Sequence, residues 1–265
     1  MMRRLLPILL ALALAPSVAY ATPRALPFSY PYATLGKKGL ELEQFVDLTW
    51  VRGLDTTGAL NWAPRSILTT ELEYGLTDRL ELALYIQMSE EPPAGSGETG
   101  FLHFDGLKQR LRYRFAEAGE WPIDVALYGE IAELRNEFEV EGKIILEKRV
   151  GRLQLITNLW AEHEFYYDGR REWVLRPTAG ASFEITPAVH LGAEYWMFAE
   201  YGGGAPPGAF NPAPHHYVGP TLLLLFERFW WTIGPYVRLD DLNRPTQLGD
   251  EFGRFWVRTI VGIDL

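Results

Sequence analysis

Lys108, Arg110, Arg112 and Arg114 place four bases at strict intervals of two residues in the segment GLKQRLRYRF. At that spacing a β-strand projects all four from one face, whereas a helix would spread them around its circumference. Acids recur in the same manner nearby, as Glu71 and Glu73, Glu81, and Asp124 and Glu130. Three further bases, Arg176, Arg254 and Arg258, read onto the matching faces of later segments. The chemistry open to such a set is electrostatic: cross-strand pairing, or a charged wall along which a small solute passes. A nucleophilic alternative is thin. Ser182, Glu184 and His190 fall on neighbouring segments and spell a Ser-His-Glu set, but no motif surrounds them, and a His–Glu cross-strand hydrogen bond is the simpler reading. His163 reads onto the opposite face from Ser182. There is no cysteine, no HExxH and no Walker loop, so neither a metal nor another cofactor is expected, and no catalytic residue is assigned.

The ladder has to lie on strands, and residues 68–88, LTTELEYGLTDRLELALYIQM, show which kind. Leu68, Thr70, Leu72, Tyr74 and Leu76 alternate with Thr69, Glu71, Glu73 and Gly75. After the polar turn Thr77-Asp78-Arg79, Leu80, Leu82, Leu84, Ile86 and Met88 alternate with Glu81, Ala83, Tyr85 and Gln87. Period 2 on both sides of a turn predicts a hairpin with one apolar and one charged face. The same alternation predicts strands within 40–51, 107–115, 123–131, 138–147, 153–164, 173–185, 189–200, 231–239 and 254–265. Residues 216–226 read as a strand whose facing is open, because 222–225 is apolar on both sides.

The N-terminus indicates which solvents these faces meet. Arg3 and Arg4 precede an apolar run over 5–15, and Ala19-Tyr20-Ala21 offers small residues for cleavage. This is the pattern of a secretory signal peptide over 1–21, and the run is too short to span a bilayer. Cleavage after Ala21 would remove two arginines and move the formal charge from −9 to −11. So acidic a chain is not expected to bind nucleic acid. A secreted chain without disulfides needs another source of stability, such as a closed sheet. Residues 22–38 carry Pro23, Pro27 and Pro31 between Phe28, Tyr30 and Tyr32; proline prevents regular strand pairing, so a loose terminal arm is expected, with folding into a pore as the alternative.

Most of the short connectors (77–79, 151–152, 186–188 and near Arg228) fall at one end of an up-and-down arrangement. Those at 53–65, 90–100, 202–214 and 243–251 fall at the other, as turns and external loops do in outer-membrane barrels. The expected fold is therefore all-β: residues 39–265 form a single closed antiparallel up-and-down transmembrane β-barrel of about 12 strands in the bacterial outer membrane. Tyr74, Phe115, Trp121, Phe183 and Trp231 gather near the short-turn end, where an interfacial aromatic girdle belongs.

Three segments, EYGLTDRLELALYI (73–86), FDGLKQRLRYRF (104–115) and FEITPAVHLGAEY (183–195), resemble the small bacterial outer-membrane barrels of the phenol-degradation meta-pathway or transporter type. The resemblance implies a fold and a location and carries no catalytic residues. The chain ends in Leu265, where many outer-membrane proteins end in an aromatic residue. The function expected is a channel or transporter for a small molecule or ion, in contact with outer-membrane lipids. The alternatives are a lipid-modifying hydrolase and a sealed structural barrel. With inward acids exceeding inward bases, an open pore should prefer cations.

Overall fold

Alternation of apolar and charged residues satisfies two environments only when every backbone N–H and C=O is paired within the sheet, and closure achieves this without an edge. In the computed structural model, which describes residues 22–54, 57–91, 100–202, 214–240 and 253–265, the sheet closes on itself. The strands are β1 (Leu40–Leu54), β2 (Leu60–Gly75), β3 (Leu80–Glu91), β4 (Phe101–Arg114), β5 (Asp124–Leu134), β6 (Glu137–Val150), β7 (Leu153–Tyr166), β8 (Arg171–Leu175), β9 (Thr178–Thr186), β10 (Val189–Gly202), β11 (His215–Leu225), β12 (Phe229–Arg238) and β13 (Phe255–Asp264). Each pairs antiparallel with its neighbours, and β13 pairs with β1 from Glu41↔Asp264 to Thr49↔Trp256.

β8 and β9 together form one spanning strand between β7 and β10. The interruption is at Arg176-Pro177. Pro177 has no N–H to give, but its carbonyl accepts from Met197 N at 3.1 Å, and Arg176 N donates to Trp160 O at 3.0 Å, so the ladder carries on across the break. The result is a single closed antiparallel barrel of twelve strands. Several strands outrun the 9–11 residues that suffice to cross a bilayer. β1 and β2 in particular stay paired to Leu54↔Leu60, through most of the stretch that the sequence reading assigns to a connector at 53–65. That stretch is polar, but its backbone groups are still best satisfied by each other.

The two faces separate cleanly. Outward positions such as Leu72, Leu84, Leu111, Leu127, Leu159 and Leu191 are exposed, at 40–50% of their surface. A contiguous apolar belt of this kind has no place on a water-soluble surface but suits lipid. Tyr74, Trp121 and Phe183 are exposed on the same outer surface near the short-turn end. Inward positions are mostly charged, polar, aromatic or small, with a few aliphatic side chains such as Ile145, Leu223 and Ile260 among them, and they are largely buried. Strand β11 settles here as well: His215, Tyr217, Thr221 and Leu223 are buried inside, while His216, Val218, Leu222 and Leu224 lie on the outer side.

What buries the inner face at the short-turn end is the N-terminal arm. The expectation of a loose arm is corrected: Ala25, Leu26, Phe28, Ser29, Tyr30, Tyr32 and Leu35 are all under a tenth exposed. The prolines keep the segment from joining the sheet, and its aromatic rings fill the lumen instead. Its exit is tight. Lys38 N donates to Gly75 O at 2.7 Å, and a Cβ on Gly75 would stand 2.0 Å from Gly36 O, so only glycine lets the arm cross β2 there.

Candidate functional site: a charged lumen divided by the N-terminal arm

The base ladder of β4 is drawn into two environments by its register against β3 and β5. Arg110 and Arg112 lie at the level of the arm and are about 1% exposed. Arg110 donates to Glu71 Oε1 from Nη2 at 2.6 Å and from Nε at 3.0 Å, and also pairs with Glu73 and Glu81. Arg112 reaches Glu81 at 2.9 Å and donates to Pro31 O on the arm at 3.4 Å. The ends of the ladder diverge. Lys108 faces the outer half, 3.3 Å from Glu139 and 3.5 Å from Glu130. Arg114 turns to the rim, donating to Thr34 Oγ1 at 3.1 Å and to Glu117 at 2.5 Å.

The remaining sequence-predicted charges disperse along the wall. Asp124 is buried at the start of β5, where it accepts from Gly119 N at 2.8 Å and so closes the β4–β5 turn. Arg176 pairs with Glu162 at 3.3 Å, at the β8–β9 break. Arg258 grips Asp47 through two hydrogen bonds of 2.7 and 2.8 Å and lies 3.9 Å over the Phe28 ring. Arg254 lies just before β13 at the opposite end, and its carbonyl accepts from Arg238 N at 2.9 Å.

The arm supplies what the strand pattern did not reveal. Arg24, 1% exposed, pairs with Glu43 at 2.8 Å, Glu71 at 3.1 Å and Glu73 at 3.4 Å, and stacks 3.8 Å over Tyr30. Backbone amides of the arm donate to side chains on strands around the barrel. Phe28 N goes to Glu194, Tyr30 N to Asn158 at 2.7 Å, Tyr32 N to Glu147 at 3.0 Å and Leu35 N to Glu81 at 2.7 Å. A segment without secondary structure must satisfy its amides somewhere, and the inward acids do so. Phe28 stacks on Trp196 at 4.4 Å beside Tyr236 and Trp256. The sequence signal available for this docking was Arg24, set among aromatics and prolines and far from the two lysines at the arm's end, in a chain whose inward face has surplus acid.

Beyond the arm, in the outer half of the barrel, a cavity of about 300 Å³ remains. Phe28 and Tyr30 form its floor, and among the described residues nine acidic side chains stand on its wall against five basic ones. Glu137, Glu139 and Glu164 bring carboxylate oxygens within 4.8 Å of one another there. A narrow low-dielectric enclosure concentrates the field of such a surplus. The Ser-His-Glu alternative does not assemble: His190 lies opposite Glu184 in the β9–β10 register, but Ser182 lies opposite Gly192, and its buried Oγ has no hydrogen-bond partner.

This architecture matches solved outer-membrane barrels. An outer membrane channel from Pseudomonas putida F1 superposes with a TM-score of 0.62 at 12% identity, covering 88% of this chain and 98% of that one. The NanC porin gives 0.56 at 8% identity over 85% and 100%. The translocator domain of the autotransporter NalP from Neisseria meningitidis gives 0.50 at 10% identity over 87% and 90%. The fold is that of the bacterial outer-membrane β-barrels. No protein-family model matches the sequence, and no curated protein matches it either.

Proposed function

We propose that this chain is an outer-membrane channel for small, preferentially cationic solutes, with an acidic outer vestibule and an inner half closed by its own N-terminal arm. The observation that carries the reading is the cavity of about 300 Å³ walled, among the described residues, by nine acidic side chains against five basic ones and floored by Phe28 and Tyr30. A surplus of fixed negative charge in a poorly screened enclosure raises the local concentration of cations and repels anions. The barrel fold shared with a Pseudomonas channel and a porin supports the class. Transport past the arm requires it to shift.

The test is conductance in planar bilayers across a salt gradient, with the full mature chain and with a variant lacking residues 22–35. The full chain should show small, intermittent, cation-preferring currents, and the truncated chain a larger steady conductance of the same sign. Anion preference in both would overturn the vestibule reading. A folded truncated barrel that conducts no ions would show a sealed structural barrel instead.

A further inference from the structure

The deepest charge cluster is unbalanced. Glu41, Glu43, Glu71, Glu73 and Glu81 are fully buried, and among the described residues Arg24, Arg110 and Arg112 are the bases that pair within this cluster, so five acids face three bases. Carboxylate oxygens of Glu41, Glu43 and Glu73 lie within 4.8 Å of one another, a separation suited to holding a cation. Glu43 Oε2 has Arg24 at 2.8 Å, but Glu43 Oε1 has no hydrogen-bond partner although the residue is wholly buried. Uncompensated carboxylates in such a setting are costly.

A positively charged group can reach this triad from the chain itself. Thr22 is 5% exposed, and its backbone nitrogen donates to Glu41 Oε2 at 3.0 Å. Its hydroxyl lies 3.3 Å from both Glu41 Oε2 and Glu73 Oε2. Trp230 Nε1 holds the other Glu41 oxygen, fixing the carboxylate toward Thr22. The residue before Thr22 is Ala21, the last residue of the secretory pattern.

We propose that hydrolysis of the Ala21–Thr22 peptide bond by a signal peptidase converts this buried amide into an α-ammonium that docks as the fourth cation of the cluster. Water is consumed, Ala21 leaves with the new carboxylate, and Thr22 takes the proton as an ammonium facing Glu41 and Glu73. The bond is out of reach once Thr22 is docked, so cleavage precedes folding and supplies the charge that plugging then uses. An uncleaved chain offers a neutral N–H where the acids need a charge. The inference concerns how the arm locks and holds whatever solute the barrel passes.

Two measurements test it. Mass spectrometry of protein purified from outer membranes should give a chain starting at Thr22; a different first residue would overturn the proposal. Acetylation of the folded protein with a sulfosuccinimidyl ester should leave the α-amine protected, reacting slower by roughly tenfold or more than in the unfolded chain, since labelling then requires local opening. Labelling at the unfolded rate would also overturn it. A refolded chain carrying Ala-Ala ahead of Thr22 should melt about 2–4 °C lower than one starting at Thr22. In a Glu41→Gln background this difference should shrink, because the ammonium then has less to pair with. If Glu41→Gln does not fold, protection of the wild-type amine still decides.

Discussion

The two halves of the lumen are built from the same strands with the same alternation, yet they differ in kind. In the half nearest the short turns, the arm fills the space, and bases such as Arg24, Arg110 and Arg112 are enclosed among acids with about 1% of their surface exposed. In the outer half, the strands continue without the arm, and an acid-rich wall surrounds a cavity. What decides whether an inward charge is structural or available is therefore the presence of a filling segment, not the strand pattern. A buried ion cluster is weak evidence of stability in itself, because desolvation offsets much of the attraction. Here the acids also hold amides of the arm that no sheet partner satisfies.

The sharpest way to break this contrast is within one strand. Arg110→Ala would leave Glu71, Glu73 and Glu81 short of their shared base in a dry cluster, and removing one partner of such a cluster costs about 3–5 kcal/mol. Lys108→Ala, two residues away, removes a base that is 17% exposed at the cavity wall and should cost clearly less. Urea unfolding of the two variants in vesicles, followed by tryptophan fluorescence, measures the difference. Equal losses would mean that the outer half is as tightly packed as the inner.

Much of this arrangement was legible in the sequence, for a physical reason. Period 2 maps one residue to one face, so the lipid-facing leucines, the inward acids and the β4 ladder could be read directly, and turn lengths ordered the two ends. The facing of β11 could not be read, because Leu222–Leu225 is apolar on both sides and only pairing with β10 and β12 fixes it. The arm could not be read because it has no period: its placement depends on long-range contacts such as Phe28 with Glu194 and Arg24 with Glu71. Alternation over 173–185 read as one strand across Pro177, and β8 and β9 do form one spanning strand; what the period did not show is the local break at Arg176-Pro177.

A smaller effect distinguishes lipid from vestibule on β3. Leu84 is 49% exposed on the outer face, whereas Gln87 lines the cavity and donates to Asp105 at 2.7 Å. Arginine on the lipid face near mid-membrane costs about 2–4 kcal/mol, so Leu84→Arg should sharply reduce folded yield in vesicles. Gln87→Arg should fold normally, because its charge meets Asp105 and a surplus of acid. It should also weaken cation preference. Equal yields of the two variants would sink the face assignment and, with it, the separation of the two halves.

The smallest expected effect lies at the rim of the plugged half, where exposure should cancel what burial amplifies. Glu117, in the β4–β5 turn, takes a hydrogen bond from Arg114 at 2.5 Å and one from Arg79 Nε at 3.1 Å. The Arg114 hydrogen bond is the main reason its carboxyl titrates below the usual range, with Arg79 adding to it. A lowered folded-state value means that the pair stabilises the protein above the unfolded carboxyl's titration near ~4.3 and loses that contribution as pH falls through the lower folded value. Glu117 and Arg79 are nevertheless exposed and Arg114 only partly enclosed, so these pairs are screened by salt and contribute little. Glu117→Gln should therefore leave the melting temperature almost unchanged at pH 7, and any difference from wild type should disappear in strong acid or at high salt. A drop at pH 7 comparable with that of Arg110→Ala would show that the charge cluster extends to the rim, and that the arm's seal begins at the turn rather than inside the barrel.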